Sequence, residues 1–291
     1  MTPAAPRAPS VPLAVVDAHV HFWDPTTLHY PWLEREPSLC RPFLPADFVA
    51  ATAAVEVRGI VVVEANCRAE EAGREVAFVE RLAKAEPRIA GIVAFADVAD
   101  AHERARRLDA LADSPKLKGI RQNIQGQPPG FCGRPAFVEG VRVVGRRELP
   151  FDLCLTADQL EEVIALVRDC PDTAFVLDHC AKPAIRDREI ERWGEGIARL
   201  AAAENVCCKL SGLATEADPA GWCEADLGPY AARVIDCFGP ERVMYGSDWP
   251  VLTLAVAYDE WYRFTERLTG GWSAAERRGF YAETATRVYG L

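Results

Sequence analysis

Two histidines stand two positions apart in the stretch VVDAHVHFWD, residues 15–24, of a chain that contains five histidines. The aliphatic run before them predicts a β-strand that begins at Leu13, and side chains at positions i and i+2 of a strand point to one face. His19 and His21 therefore project side by side. They are either a metal-binding or catalytic pair, or strand-end histidines that bond to the backbone, and this stretch alone leaves both interpretations open.

Short runs of β-branched and aliphatic residues recur along the chain and alternate with helical patterns rich in Ala, Glu and Arg. Strands that alternate with helices predict a parallel sheet that is buried on both faces. The predicted strands are Leu13–His21, Gly59–Ala65, Ile89–Ala96, Leu117–Asn123, Phe151–Thr156, Ala174–His179, Val206–Ser211 and Arg242–Asp248. Eight such units in about 250 residues are typical of a (β/α)8 TIM barrel. The competing doubly wound sheet usually has a glycine-rich phosphate turn after its first strand, and this chain lacks one.

Polar residues concentrate at the carboxyl ends of the predicted strands, and in a barrel these ends converge on one mouth. They include His19, His21, Glu64, Arg121, Asn123, His179, Lys209 and Asp248. An acid at the end of the last strand, opposite two histidines, has little structural reason to be there, so Asp248 is the strongest functional candidate. Glu64, Arg121 and Lys209 have structural alternatives, namely a loop contact or a buried ion pair. Trp32, in the long loop after the first strand, is interpreted as an apolar wall of the pocket.

The composition excludes several classes of partner. The net charge of -10 argues against nucleic acid, because phosphate binding relies on clustered Lys and Arg. No apolar run approaches the roughly 20 residues that a membrane helix needs. The ten cysteines form no C-x-x-C pair and no export signal precedes them, which favours free thiols in the cytoplasm. We expect a disordered tail at residues 1–12 and one catalytic barrel domain over residues 13–291, and the sequence leaves open whether the protein forms a homo-oligomer.

The motifs DAHVHFWD, KGIRQNIQ, LDHCAKP, CKLSGL and RVMYGSDWPV, taken in order, resemble those of the amidohydrolase-related family that contains sugar-lactone and pyrone-dicarboxylate lactonases. The chain is most similar to the L-fuconolactonase-like and L-rhamnonolactonase-like members. The resemblance extends from about Val15 to Trp249, nearly the whole chain. It implies an amidohydrolase-like barrel and an enzyme that hydrolyses carboxylic ester bonds in carbohydrate catabolism.

The resemblance also implies roles for individual residues. His19, His21 and His179 match the family's site histidines, Asp248 matches its general base, and Arg121 matches an arginine that grips the substrate. The chain departs from the broader superfamily because its fourth strand offers no lysine for carbamylation at the mouth and its fifth offers no histidine. A bridged two-metal site is therefore not expected. The resemblance allows one divalent ion such as zinc, with the ligands His19, His21, Asp248 and Glu64, and leaves metal-independent catalysis open.

The predicted reaction is the opening of a sugar lactone, such as an L-fucono- or L-rhamnono-lactone, to the aldonic acid by water that Asp248 activates. The substrate is expected to contact Arg121, Asn123, Trp32, Glu64 and Lys209. Two alternatives remain open at this point. One is a metal-dependent decarboxylase of the same superfamily, which usually keeps a histidine on the fifth strand. The other is a sugar-binding barrel without catalysis, for which a complete set of three histidines and an aspartate would be surplus.

Overall fold

The computed structural model describes residues 13–219 and 221–291. The predicted tail at residues 1–12 lies outside the described residues. Eight parallel strands follow one another around the sheet in chain order, from β1 to β8. They are β1 Val15–Val20, β2 Val57–Val63, β3 Ile89–Phe95, β4 Leu117–Arg121, β5 Phe151–Leu153, β6 Phe175–Leu177, β7 Val206–Leu210 and β8 Val243–Tyr245.

Helices connect the strands and surround the sheet. They are α1 Pro45–Ala51, α2 Ala72–Ala85, α3 Arg104–Ala112, α4 Pro135–Arg146, α5 Leu160–Asp169, α6 Glu191–Ala201, α7 Leu213–Glu216, α8 Glu224–Phe238, α9 Tyr258–Leu268, α10 Ala274–Arg278 and α11 Thr284–Tyr289. Parallel neighbours need crossover connections, and these helices provide most of them. The predicted (β/α)8 barrel is confirmed. In the described part of the chain, no helix is both long enough and apolar enough to span a membrane.

The last strand meets the first and closes the barrel beyond the regular ladder. Val20 forms a parallel bridge with Trp249. The Asp248 backbone N–H donates to the carbonyl of His19 at 2.8 Å, and the His21 N–H donates to the carbonyl of Trp249 at 2.7 Å. The hydrogen bonds that close the barrel therefore also bring Asp248 beside the histidine pair.

The core has two layers because each strand is buried on both sides. Large aliphatic and aromatic side chains, such as Phe48, Phe137 and Trp261, fill the space between the strands and the helices. A smaller cluster, which includes Val61, Val93, Val176 and Met244, joins side chains of the barrel strands to Tyr289 of α11. Burying each such side chain stabilises the fold by about 1.5–3 kcal/mol.

Several strands end earlier than the sequence pattern predicts. β5, β6 and β8 contain three residues each, so the predicted ends at Thr156, His179 and Asp248 were wrong. The reason is visible in the backbone, because His179 and Asp248 have φ angles of 52° and 64°. A strand cannot accommodate positive φ. These residues therefore lie on the segments that follow the strands.

Candidate active site

Three side chains converge at the mouth of the barrel, where β1 and the segment after β8 meet. The Asp248 Oδ1 atom lies 3.3 Å from His21 Nε2 and 3.7 Å from His19 Nε2. The two Nε2 atoms are 3.1 Å apart. All three side chains are almost completely buried. The period-two alternation of β1 places the two imidazoles on one face, as predicted, and barrel closure adds the carboxylate.

The groups on the far side of the two imidazoles fix the position of the proton in His21 but not in His19. His21 Nδ1 lies 2.8 Å from the carbonyl of Val63, which can only accept, so we assign the proton to Nδ1. His19 Nδ1 lies 3.2 Å from Oδ1 of Asp178 but also 3.3 Å from Nζ of Lys209, which can only donate, so these neighbours do not assign the His19 proton to one nitrogen. In its neutral form the His21 ring therefore directs an Nε2 lone pair toward Asp248.

This donor set fits one divalent metal ion. Two nitrogen lone pairs and a carboxylate oxygen repel one another unless a cation or a proton lies between them. Ligands at roughly 2.0–2.1 Å in a tetrahedron around zinc are about 3.3–3.4 Å apart. The observed separations of 3.1, 3.3 and 3.7 Å are close to that spacing. His19, His21 and Asp248 together thus form a candidate metal site.

His179 approaches the same carboxylate from the segment that follows β6. Its Nε2 atom lies 3.8 Å from Asp248 Oδ1, and its Nδ1 atom lies 2.9 Å from the Ser211 hydroxyl. His179 opens a run of four consecutive residues with φ between 44° and 60°, which ends at Lys182. Left-handed backbone costs roughly 1–2 kcal/mol per non-glycine residue, and strain of this kind is concentrated at functional sites. Because His179 is the first residue of this run, its left-handed backbone also determines where the His179 imidazole lies.

Electrostatics favour an ionised aspartate among neutral imidazoles. Burial alone would raise the pKa of the Asp248 carboxyl, but His179, His21 and His19 hold it below its usual range. Burial lowers the pKa of His179 to about 4, against the opposing influence of Asp248. Burial also lowers the pKa of His19 well below its usual value. An ionised carboxylate beside neutral imidazoles suits both metal binding and proton transfer from water.

Arg121 lies under the mouth and is held by the protein itself. Its Nε and Nη2 atoms donate at 2.6 Å to the Glu64 carboxylate and to the Glu64 carbonyl. Its Nη1 atom donates to Asp178 at 3.1 Å. The second oxygen of the Glu64 carboxylate accepts from the Asn66 backbone at 2.7 Å. These contacts give no support to Glu64 as a metal ligand, because both of its oxygens are already engaged, and Arg121 as a substrate contact stays a prediction.

Lys209 is fully buried, with its ammonium below the histidines. Its Nζ atom lies 2.6 Å from Asp152, 3.0 Å from Asp178 and 3.3 Å from His19 Nδ1. Those two carboxylates outweigh the effect of burial and raise the pKa of Lys209. The amine is therefore occupied within the protein, and the geometry does not support its predicted contact with substrate.

The two remaining predicted substrate contacts, Asn123 and Trp32, are less buried than Arg121 and Lys209. Asn123 is half-buried, and its side-chain oxygen accepts from the Gln125 N–H at 3.1 Å. Trp32 is also half-buried, and its indole N–H donates to the Ala65 carbonyl at 2.8 Å while its ring packs against Trp23. Both side chains retain exposed surface, and their contact with substrate stays a prediction.

Two carboxylates next to the site were not assigned roles from the sequence. Asp178 joins His19 to Arg121 and Lys209, and Asp152 balances the charge of Lys209. Asp178 stands next to the end of a predicted strand, which was the available signal, whereas Asp152 is the second residue of its predicted strand, Phe151–Thr156. Their roles depend on partners that are distant in the sequence, so strand position alone could not define them.

Eight parallel strands with a histidine–aspartate cluster at their carboxyl ends define the class of (β/α)8-barrel enzymes. The amidohydrolase family model matches residues 16–291. The chain therefore belongs to the amidohydrolase family. The resemblance read from the motifs and the prediction of a hydrolase are confirmed.

Relatives and solved structures agree with this family. An L-fucono-1,5-lactonase of Burkholderia multivorans is 35% identical over 298 residues, covering 95% of this chain and 96% of the relative. An L-fucono-1,5-lactonase of Burkholderia ambifaria is 33% identical over 245 residues, covering 82% and 81%. A crystal structure of a Burkholderia multivorans amidohydrolase with bound zinc superposes with a TM-score of 0.86 at 34% identity, covering 96% of this chain and 100% of that one.

Proposed function

We propose that the protein hydrolyses a sugar lactone to the aldonic acid, with Asp248 as the base that activates water. The observation that carries the proposal is the position of the Asp248 carboxylate, which lies 3.3–3.8 Å from three imidazole nitrogens at the mouth of the barrel. Relatives with the name L-fucono-1,5-lactonase support a neutral, hydroxylated lactone as the substrate. The reaction would serve carbohydrate catabolism, with L-fucono- and L-rhamnono-lactones as the first substrates to test.

Asp248 and His179 have different roles in the proposed hydrolysis of the lactone. Asp248 is ionised at neutral pH, so it can take a proton from water as that water attacks the carbonyl carbon. It can return the proton to the alkoxide that leaves when the ring opens. His179, neutral and fixed by Ser211, is placed to bind a polar atom of the substrate without adding charge.

His19, His21 and Asp248 are the residues that would hold a divalent ion. Such an ion, when bound, polarises the lactone carbonyl as a Lewis acid. The His21 imidazole is already oriented for this role by the Val63 carbonyl, and Nδ1 of His19 faces the Asp178 carboxylate at 3.2 Å. A zinc-bound crystal structure with a TM-score of 0.86 supports zinc as the first metal to test.

The decisive experiment measures acid release in a pH-stat for a panel of sugar lactones, with gas evolution from aromatic acids followed in parallel. Metal content is determined before and after chelation, and activity is measured in both states. We expect lactone hydrolysis without gas release. Decarboxylation without lactone hydrolysis, or no turnover of any lactone, contradicts the proposal.

The Asp248→Asn variant tests the base directly, because the amide keeps the shape of the side chain but cannot accept a proton from water. Loss of a general base lowers the rate by about 10²–10⁴-fold. Asp236→Asn is the matched control, since Asp236 is exposed on α8. An Asp248→Asn enzyme that hydrolyses lactones within a few fold of wild type would show that this mechanism is wrong.

A further inference from the structure

Glu216, at the end of α7, lies between the two segments that carry His179 and Asp248. α7 begins directly after Gly212, and an added Cβ at Gly212 would lie 2.7–2.8 Å from His179 atoms. On one side, the Arg186 N–H donates to the Glu216 carbonyl at 3.2 Å and ties α7 to the loop after β6. On the other side, α7 packs against the helical turn Val251–Leu254, which follows Asp248. This short helix is therefore part of the rim of the mouth.

The Glu216 carboxylate has no hydrogen-bond or ion-pair partner among the residues that the structure describes. Its side chain is nevertheless half-buried. Burial raises the pKa of this carboxyl, the positive charge of Lys182 lowers it, and the negative charge of Asp248 adds to the rise. The carboxylate is thus within electrostatic reach of the catalytic aspartate. A half-buried carboxylate that no described residue engages is free to accept hydrogen bonds from a ligand.

Lys182 stands near Glu216 and favours its ionised form. Lys182 ends the left-handed run that begins at His179, with φ of 44°, and its ammonium donates to the Gln125 side chain at 2.7 Å. The segments after β6 and β7 therefore carry a donor group and an acceptor group within electrostatic range of each other. Glu216 itself, when ionised, is an acceptor only, and its two oxygens can each accept from a hydroxyl group.

We propose that Glu216 is a specificity-determining residue that accepts hydrogen bonds from ring hydroxyl groups of the lactone. This inference rests on the proposed lactonase function and names the part of the substrate that the rim recognises. Hydroxyl groups can donate hydrogen bonds to the Glu216 carboxylate, so the substrate needs no positive charge to bind there. A site that hydrogen-bonds a substrate hydroxyl discriminates strongly against an analogue that lacks it, because the group in the site is then left unpaired.

The test compares a polyhydroxylated 1,5-lactone with unsubstituted δ-valerolactone in wild type, Glu216→Ala and Glu216→Gln. We expect Glu216→Ala to lower kcat/KM for the sugar lactone by about 10–100-fold, mainly through KM, with a smaller loss in Glu216→Gln. The kinetics of δ-valerolactone, as substrate or as competitive inhibitor, should stay within twofold of wild type. Glu195→Gln on the exposed face of α6 is the matched control. The melting temperature should not fall, because the described residues offer Glu216 no hydrogen bond or ion pair that the substitution would break.

The outcomes separate this inference from the proposed function. If wild type opens sugar lactones and Glu216→Ala keeps the full preference for them over δ-valerolactone, the assignment of Glu216 is wrong and the lactonase proposal stands. An equal loss with both lactones would make Glu216 a structural residue and overturn the inference in the same way. If wild type opens no lactone, the proposed function fails, and this inference fails with it.

Discussion

The imidazole of His19 and the carboxylate of Asp178 face each other inside the barrel, with Nδ1 and Oδ1 3.2 Å apart and neither side chain exposed. Burial alone would raise the pKa of Asp178, but Lys209, His19 and Arg121 hold it well below its usual range. The carboxylate is therefore ionised and faces Nδ1 of His19. With a metal ion on Nε2 the ring proton of His19 would lie on Nδ1, toward this carboxylate, and we infer that Asp178 is a positioning residue for His19 as a ligand.

Replacing Asp178 by Asn should weaken metal binding, because the amide holds the His19 ring less firmly and lowers its basicity. Loss of an outer partner of this kind typically costs about 10–100-fold in metal affinity. The measurement is a zinc competition titration against a chromophoric chelator, on metal-free protein whose fold has been checked by melting temperature. Asp236→Asn on the surface should match wild type. A zinc affinity of Asp178→Asn within twofold of wild type would remove the positioning role.

Arg121→Lys distinguishes a structural arginine from one that grips the substrate. Lysine cannot reproduce the fork that bonds Glu64 twice and Asp178 once. We expect the free energy of unfolding to fall by about 2–3 kcal/mol and kcat to fall with little change in KM. Urea unfolding and steady-state kinetics give both quantities, with the exposed Arg146→Lys as control. An unchanged unfolding free energy with a raised KM would instead support direct contact with substrate.

Gly212→Ala should displace His179, because an added Cβ would lie 2.7–2.8 Å from the His179 Cβ, Cγ and Nδ1 atoms. A misplacement of about 1 Å can cost about 10²-fold in rate, so we expect kcat/KM to fall by that order. Gly290→Ala is the control, since Gly290 also has positive φ, 57°, and its added Cβ meets nothing within 4 Å. If both variants lose the same small fraction of activity, contact with His179 is not the cause.

Glu75→Gln should stabilise the protein increasingly as pH rises. Burial, together with the charge of Glu64, raises the pKa of the Glu75 carboxyl from 4.5 to about 8. Between these values the native state keeps a proton that the unfolded chain has lost, so native stability falls as pH increases. Glutamine removes that loss and can still accept from the Ala65 N–H, which lies 3.1 Å from Glu75 Oε1.

The gain should be on the order of 3 kcal/mol at pH 8 and small at pH 5. Urea unfolding of both proteins at the two pH values measures it. The exposed Glu70→Gln variant, just before the same helix, should show no such pH dependence. If the unfolding free energies of wild type and Glu75→Gln differ by the same amount at both pH values, the raised pKa of Glu75 is contradicted.

The sequence alone determined the features that follow from short-range backbone geometry. Aliphatic runs predicted eight strands because a strand buried on both faces needs apolar residues at successive positions. The period of two placed His19 and His21 on one face, and the ordered motifs brought His179 and Asp248 to the same mouth. The strand ends were less predictable, since the left-handed backbone at His179 and Asp248 depends on the packing around them.

Only the tertiary structure decided which charges pair. Arg121 and Glu64 are 57 residues apart in the chain, and Lys209 is 190 residues from His19. A buried charge takes whichever partners the closed barrel brings into its low-dielectric interior, and no local pattern encodes that choice. Lys209 and Glu64 therefore lie within a buried ion-pair network rather than free at the mouth. Glu216, which no residue in the described part of the chain engages, is a candidate only because the fold places α7 between the segments that carry His179 and Asp248.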